Sequence, residues 1–73
     1  PDYPVPEGYT AATYMAKIAQ DGLVQRRQCN SFEEIEQDYR DRLDYELNMM
    51  EQMGFATYFL VVWDYIKFAR DHN

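Results

Sequence analysis

Apolar positions recur with helical spacing from Thr10 onward, and they predict a first helix over about 10–27. Apolar pairs there stand four residues apart, and the Thr10 hydroxyl is suited to cap the helix start. Gly22 lies on the same apolar stripe, which predicts that another backbone approaches the helix closely at that point.

A capping signal and one apolar stripe predict a second helix over about 31–53. Ser31 followed by Glu34 has the spacing of a capping box, in which each side chain bonds the other residue's backbone. Apolar residues then recur at spacings of three or four and fall on one helix face. They are Phe32, Ile35, Tyr39, Leu43, Leu47, Met50 and Met53.

Charged side chains and a glycine complete the prediction for this helix. Glu36 with Arg40, and Asp38 with Arg42, stand four residues apart in the favourable orientation. We expect both pairs on the exposed face, each contributing about 0.2–0.5 kcal/mol. Gly54 is expected to end the helix, because glycine readily adopts the left-handed conformation that follows a helix cap.

The third segment, 56–71, is rich in β-branched and aromatic residues, yet its length and polar pattern favour a helix. Its polar residues fall within an arc of about 140° at 100° per residue, into which Leu60 and Trp63 intrude. The apolar remainder is wider than two small helices can cover, so we expect this helix to pack also on something outside these residues. The predicted fold class is an all-α, three-helix segment, a fragment of a larger protein.

Composition and charge narrow the function classes. Residues 1–9 hold three prolines and a glycine, which predicts an extended interdomain linker or a ragged chain terminus. Seven Lys or Arg against thirteen Asp or Glu give a net charge of −6, which opposes non-specific attraction to nucleic acid. A single cysteine favours a reducing, cytoplasmic setting, and the apolar run 55–69 is too short to span a bilayer. We therefore expect no membrane association.

Candidate chemical groups are few. Acidic pairs two residues apart, such as Asp44 and Glu46, point in nearly opposite directions on a helix and do not converge on a metal ion. His72 and Cys29 each lack a partner that would make a metal or nucleophile site, so a structural role is favoured for both. Asp64 is the one acid within the apolar run, and Lys67, one turn on, offers it a structural ion pair.

The aromatic residues of 58–68 could in principle stack on nucleic-acid bases. No basic residues accompany them in the way that such binding requires, so a role in the core is favoured.

The sequence of residues 42–72 resembles the alpha subunit of bacterial DNA polymerase III, the family C replicative polymerase. The family carries an Arg-Leu-x-x-Glu-Leu helix, then Met-Gly-Phe, then Tyr-Phe-Leu-hydrophobic-Val-Trp-Asp and an aromatic helix. This chain has Arg42, Leu43, Glu46, Leu47 and Met53 in the first part of that run. The motif positions that follow, taken as structural, are Gly54, Phe55, Tyr58, Phe59, Trp63 and Asp64. Before Ser31 the likeness is looser, and Pro6-Glu7-Gly8 resembles the family's exit from its N-terminal phosphoesterase-like (PHP) domain.

The resemblance implies a segment from the PHP boundary, residues 1–9, into the start of the polymerase palm, residues 10–73. In the family, a Gly-Arg-Gly-Ser loop follows and handles the incoming nucleotide, and a later Asp-x-Asp motif with a third aspartate binds two Mg²⁺ ions. No Asp-x-Asp occurs in this chain, so no catalytic, cofactor-binding or metal-binding residue is carried over. These residues alone are expected to be an inactive scaffold.

The parent chain would add deoxynucleotides to a primer 3′ end. The implied partners are the remainder of the polymerase chain, DNA, dNTP and other replicase subunits, with Mg²⁺ as the parent enzyme's cofactor. A second interpretation is a small acidic interaction module, in which an exposed Leu60/Trp63 face would dock a partner helix.

Overall fold

The computed structural model describes residues 3–72, and within them it contains three α-helices and no strand. The helices are Ala11–Arg27 (α1), Gln37–Gln52 (α2) and Ala56–Asp71 (α3), with a 3-10 turn at Phe32–Glu34 before α2. The all-α, three-helix prediction is confirmed. The first two residues of the predicted linker and Asn73 of the predicted helical segment lie outside the described residues.

Thr10 caps α1 as predicted, and Thr13 completes the cap. The Thr10 hydroxyl accepts the Thr13 N–H at 3.1 Å, and the Thr13 hydroxyl oxygen accepts the Thr10 N–H at 2.8 Å. Two N–H groups that a helix start leaves without intrahelical partners are satisfied in this way. At the other end, Gln28 takes a left-handed conformation with φ 58°, and its N–H donates to the Gln25 carbonyl at 3.1 Å.

The predicted start of the second helix is wrong. Ser31 makes no capping hydrogen bond with its side chain; instead, the Glu34 carboxylate accepts the Asn30 N–H at 3.2 Å. Ile35 and Glu36 are extended, with ψ of 141° and 144°, so α2 begins only at Gln37. Ile35 is buried at 3% exposure. Burying an isoleucine stabilises by about 1.5–3 kcal/mol, more than the ion pairs that an unbroken helix would align.

Both predicted ion pairs of the second helix are wrong. Arg40 instead contacts the non-helical residues before α2, where its Nε donates to the Ile35 carbonyl at 2.9 Å. Glu36 instead lies 3.6 Å from Arg27 of α1. Arg42 pairs with Glu46, one turn towards the C-terminus, at 2.6 Å. The break removes Glu36 from the helix, so helical spacing no longer sets its partner.

Gly54 ends α2 as predicted. Its φ is 76°, and its N–H donates to the Glu51 carbonyl at 2.9 Å. The Phe55 N–H donates to the Met50 carbonyl, also at 2.9 Å. This pair of bonds is the Schellman arrangement, which satisfies carbonyls that the helix end leaves free. Phe55 then caps α3 without a side-chain bond, so Gly54 and Phe55 form the turn between the two helices.

The core is a thin layer to which each helix contributes. Met15 of α1, Leu47 of α2 and Ala56 and Leu60 of α3 form the buried cluster. Tyr3 and Val5 pack against the same cluster, although residues 3–10 have no regular secondary structure. The described part of the predicted linker therefore lies on the helices, and its interdomain role stays a prediction.

Two further features of the helices bear on the predictions. Gly22 has nothing within 4 Å of the position that a Cβ would occupy, so the predicted close backbone approach is wrong. Among the described helices, none has both the length and the apolar character that a bilayer crossing needs.

Candidate functional site

The orientation of α3 places some motif residues against the core and others in solvent. Leu60 is fully buried at 0% exposure, and Ala56 beside it is also buried, so α3 packs by the arc that holds both. Phe59 packs on the edge of the core, whereas Tyr58 is 69% exposed. The exposed Leu60/Trp63 face of the second interpretation is therefore wrong, because this arc faces the other helices.

Asp64 ties α3 to the N-terminal segment. The Tyr3 hydroxyl donates to Asp64 Oδ2, and Lys67 Nζ lies 3.7 Å from Asp64 Oδ1. The predicted Asp64–Lys67 pair is confirmed. The hydrogen bond to Asp64, assisted by desolvation and the charge of that carboxylate, raises the pKa of Tyr3 to about 12. This hydrogen bond joins the segment before α1 to α3, between two residues that lie 61 positions apart in the sequence.

Sequence reasoning missed Tyr3. Helical periodicity relates residues three or four apart, and no pattern in a proline-rich stretch indicates a partner 61 positions away. The one available signal is an apolar residue at alternate positions, Tyr3 and Val5, which is typical of an extended segment with one side against a core.

Trp63 lies half-buried at the edge of the α1–α3 contact. Lys67 Nζ stands 5.7 Å from the centre of its ring, within the range of a cation–π interaction. Both side chains line an open groove of about 280 Å³ together with Ile18 and Asp21 of α1. The groove is shallow and its charges are balanced, so it provides no convergent set of catalytic groups.

A second groove, of about 330 Å³, lies between α1 and α2. It is lined by Leu23, Tyr39, Leu43 and the Arg42–Glu46 ion pair. Arg27 covers the outer side of Tyr39, with its guanidinium carbon 4.3 Å from the ring centre. These contacts form a helix–helix seam closed by charged side chains, and its one carboxylate, Glu46, is paired with Arg42.

The opposite side of α3 carries the most exposed aromatic residues of the described chain. Tyr58, Val61, Tyr65 and Phe68 stand at spacings of three, four and three and are all at least half exposed. We call these four residues the outer stripe. The prediction that aromatics of this segment form core is wrong for the stripe, because the arc centred on Leu60 takes the core position.

The remaining candidate groups take local contacts. His72 Nδ1 lies 2.9 Å from the Phe68 carbonyl, and the two rings stack with centres 4.0 Å apart. The Cys29 thiol lies 3.5 Å from the Ser31 carbonyl, at the turn that follows α1. Among residues 3–72, no three His, Cys, Asp or Glu side chains are grouped so that they could hold a metal ion. The described residues therefore form a helical scaffold. In it, α3 packs by the arc that holds Ala56 and Leu60 and leaves the outer stripe exposed.

Comparison with known proteins gives this scaffold a class. The family model described as "Bacterial DNA polymerase III alpha NTPase domain" matches residues 13–73. DNA polymerase III subunit alpha of Pseudomonas fluorescens is 40% identical over 80 residues, which cover 100% of this chain and 7% of that protein. The same subunit of Bacillus subtilis is 38% identical over 71 residues, covering 97% of this chain and 6% of the relative.

An error-prone DNA polymerase of Symbiobacterium thermophilum is 34% identical over 73 residues, again covering 100% of this chain and 6% of the relative. No solved structure matches. The chain belongs to the DNA polymerase III alpha family, as the motif residues indicated. It spans about 7% of the length of the curated relatives that it matches.

Proposed function

We propose that this chain is a structural segment of a bacterial replicative DNA polymerase, which adds deoxynucleotides to a primer 3′ end under the direction of a template. Its residues 10–73 form the start of the palm, and residues 1–9 lead into it from a preceding PHP domain. The observation that carries the proposal is the family match over residues 13–73, at identities near 40% with alpha subunits.

The geometry supports a scaffold role for these residues. Motif residue Gly54 forms the turn between α2 and α3, and motif residue Asp64 accepts a hydrogen bond from Tyr3. The motif carboxylate Asp64 is engaged by the Tyr3 hydroxyl and by Lys67, contacts that join α3 to the N-terminal segment and stabilise the helix itself. A turn and a docked helix can position a following nucleotide-binding loop without contacting the nucleotide.

Mg²⁺ for the parent enzyme is part of the proposal, and the described residues do not fit its site. Carboxylates are the ligands that Mg²⁺ prefers in phosphoryl-transfer sites. Two acidic side chains of α2, Asp41 and Glu46, are engaged along the helix surface by Gln37 and Arg42. No three His, Cys, Asp or Glu side chains among residues 3–72 are grouped so that they could hold a metal ion. The ligands would therefore come from elsewhere in the polymerase. DNA, dNTP and the other replicase subunits are the proposed partners, and the cytoplasm is the proposed compartment.

Primer extension tests this function. The full-length gene product that contains this segment is incubated with a primed template, dNTPs and Mg²⁺, beside the 73-residue chain at the same molar concentration. We expect extension by the full-length chain and none by the 73-residue chain. A full-length chain without template-directed incorporation would refute the polymerase assignment, and incorporation by the 73 residues alone would refute the scaffold role.

A further inference from the structure

Residues 3–9, which we call the strap, extend from the start of α1 to α3 and lie on the helices by one side. Tyr3 and Val5 are half-buried and pack against the core cluster, whereas Pro4 and Pro6 are exposed. This alternation is typical of an extended segment that rests on a core. The prolines fix φ and favour the extended conformation in which alternate side chains point to the same side.

A tight turn joins the strap to α1. The Tyr9 N–H donates to the Pro6 carbonyl at 3.1 Å, and Gly8 has a φ of 90°. Positive φ at the third residue is typical of a type II turn, in which glycine is favoured at that position. The Tyr9 ring then packs on the ring of Tyr14 in α1, with their centres 5.3 Å apart. This end of the strap is therefore held to α1 by the turn and by an aromatic contact.

Side chains alone hold the other end of the strap. Among the residues that the structure describes, the bond from Tyr9 to Pro6 is the one backbone–backbone hydrogen bond that residues 3–9 make. The contacts with the helices are the packing of Tyr3 and Val5 and the hydrogen bond from the Tyr3 hydroxyl to Asp64 Oδ2. Segments with few buried contacts and few backbone hydrogen bonds open at a lower free energy than a core does. The strap can thus leave α3 without breaking a hydrogen bond within a helix.

We propose that the strap is a releasable element, which opens about the turn at residues 6–9 and is held closed by the hydrogen bond from Tyr3 to Asp64. Release removes Tyr3 and Val5 from the core cluster and leaves Asp64 with Lys67, whose Nζ lies 3.7 Å from Oδ1. The strap itself follows from the contacts of this chain. One consequence rests on the proposed function: if residues 1–9 lead from a PHP domain, release frees that domain to move relative to α3.

The small number of contacts makes the hydrogen bond of Tyr3 decisive. A carboxylate acceptor gives a stronger hydrogen bond than a neutral group does. The net contribution of one hydrogen bond corresponds to about fivefold in an equilibrium constant. Pro4 and Pro6 also restrict the released strap, so that closing it costs less conformational entropy. Removal of the Tyr3 hydroxyl should therefore raise the released fraction about fivefold.

Thiol labelling of the full-length gene product tests the proposal. Val5→Cys places a thiol on the half-buried side of the strap, and Glu7→Cys places one on its exposed side as the matched control. Each is combined with Tyr3→Phe, which removes the hydroxyl and keeps the ring, or with Tyr9→Phe, the control for loss of a tyrosine hydroxyl. Ala56→Cys, in the buried core, reports opening of the helices. The folded protein is labelled with a maleimide, and each labelled peptide is quantified by mass spectrometry.

We expect residue 5 to be labelled at least about tenfold more slowly than residue 7, and faster than residue 56, since the strap opens before the core does. Tyr3→Phe should raise the rate at residue 5 about fivefold, whereas Tyr9→Phe should change it less than about twofold. Asp64→Ala should act as Tyr3→Phe does, and the two together should add little to either alone, because both remove the same hydrogen bond.

Three results would overturn the inference. Equal rates at residues 5 and 7 would show that the strap does not lie on the helices. A rate at residue 5 that Tyr3→Phe leaves unchanged would show that the hydrogen bond does not hold the strap closed. Equal rates at residues 5 and 56 would show that the strap opens only together with the core. The same preparation is assayed for primer extension: its absence in the wild type refutes the proposed function, while the labelling rates still decide the strap.

Discussion

Adjacent residues of α3 lie in opposite environments, and truncating each one separately tests the orientation of the helix. Leu60 is fully buried, whereas Val61 is 53% exposed. Leu60→Ala removes buried methylene groups at about 0.8 kcal/mol each and leaves a cavity in a core that each helix shares. Measured costs of buried leucine truncations begin near 2.7 kcal/mol, so we expect about 3 kcal/mol here.

Val61→Ala is the matched control. The substitution removes an exposed side chain and replaces a β-branched residue with a better helix former, an exchange that favours alanine by about 0.5 kcal/mol. We therefore expect the free energy of unfolding to change by no more than about 0.5 kcal/mol. A single core in a chain of this size supplies roughly 3–5 kcal/mol, so Leu60→Ala should leave much of the protein unfolded.

The assay is thermal denaturation of the 73-residue chain, followed by far-UV circular dichroism at the helical bands. The Leu60→Ala protein should melt at least 10 °C below the wild type, since about 1 kcal/mol corresponds to roughly 4–8 °C in a domain of this size. Equal losses from the two substitutions, or a larger loss from Val61→Ala, would show that α3 packs by another face and would refute the outer stripe.

Two further predictions concern the glycines and the N-terminal segment. Gly54→Ala should destabilise by about 1–2 kcal/mol because the φ of Gly54 is 76°. Gly22→Ala should stabilise by about 0.5–1 kcal/mol, because the Cβ position there is open space. Urea denaturation that ranks the two variants in the opposite order would contradict this. The fold favours the neutral Tyr3 phenol, whose pKa is raised to about 12, so its contribution is complete below pH 10 and is lost as the pH rises through 12. The stability difference between wild type and Tyr3→Phe should therefore shrink over that range, and a constant difference in pH-dependent melts would show that Asp64 does not hold the phenol.

Local signals in the sequence predicted the helices well. Thr10 and Gly54 act through bonds to residues three to five positions away, so their effects can be derived from spacing alone. The start of α2 was predicted wrongly because Ser31 and Glu34 match a local motif, while the burial of Ile35 depends on tertiary packing. Burial of one large aliphatic side chain contributes more free energy than local ion pairs, each of which contributes a few tenths of a kcal/mol.

The orientation of α3 could not be derived from its composition. Its apolar side is wider than its polar side, which favours burial of the stripe in a chain that is considered alone. The structure instead buries Leu60, with Asp64 and Lys67 at the rim of the contact. There the Tyr3 hydroxyl donates to Asp64, and the Lys67 amine lies over the Trp63 ring. The over-wide apolar face was predicted correctly, but the second interpretation placed its exposed part at Leu60 and Trp63. Tyr3 of the N-terminal segment contacts this side of α3, and periodicity does not reveal that contact.

The central claim is that α3 packs by the arc around Leu60 and leaves the outer stripe open to water, and Val61→Glu tests it most directly. In the 73-residue chain the glutamate should face water, so the free energy of unfolding, measured by urea denaturation, should change by less than about 0.5 kcal/mol. A loss of several kcal/mol, which is the cost of burying a carboxylate without a partner, would contradict the account.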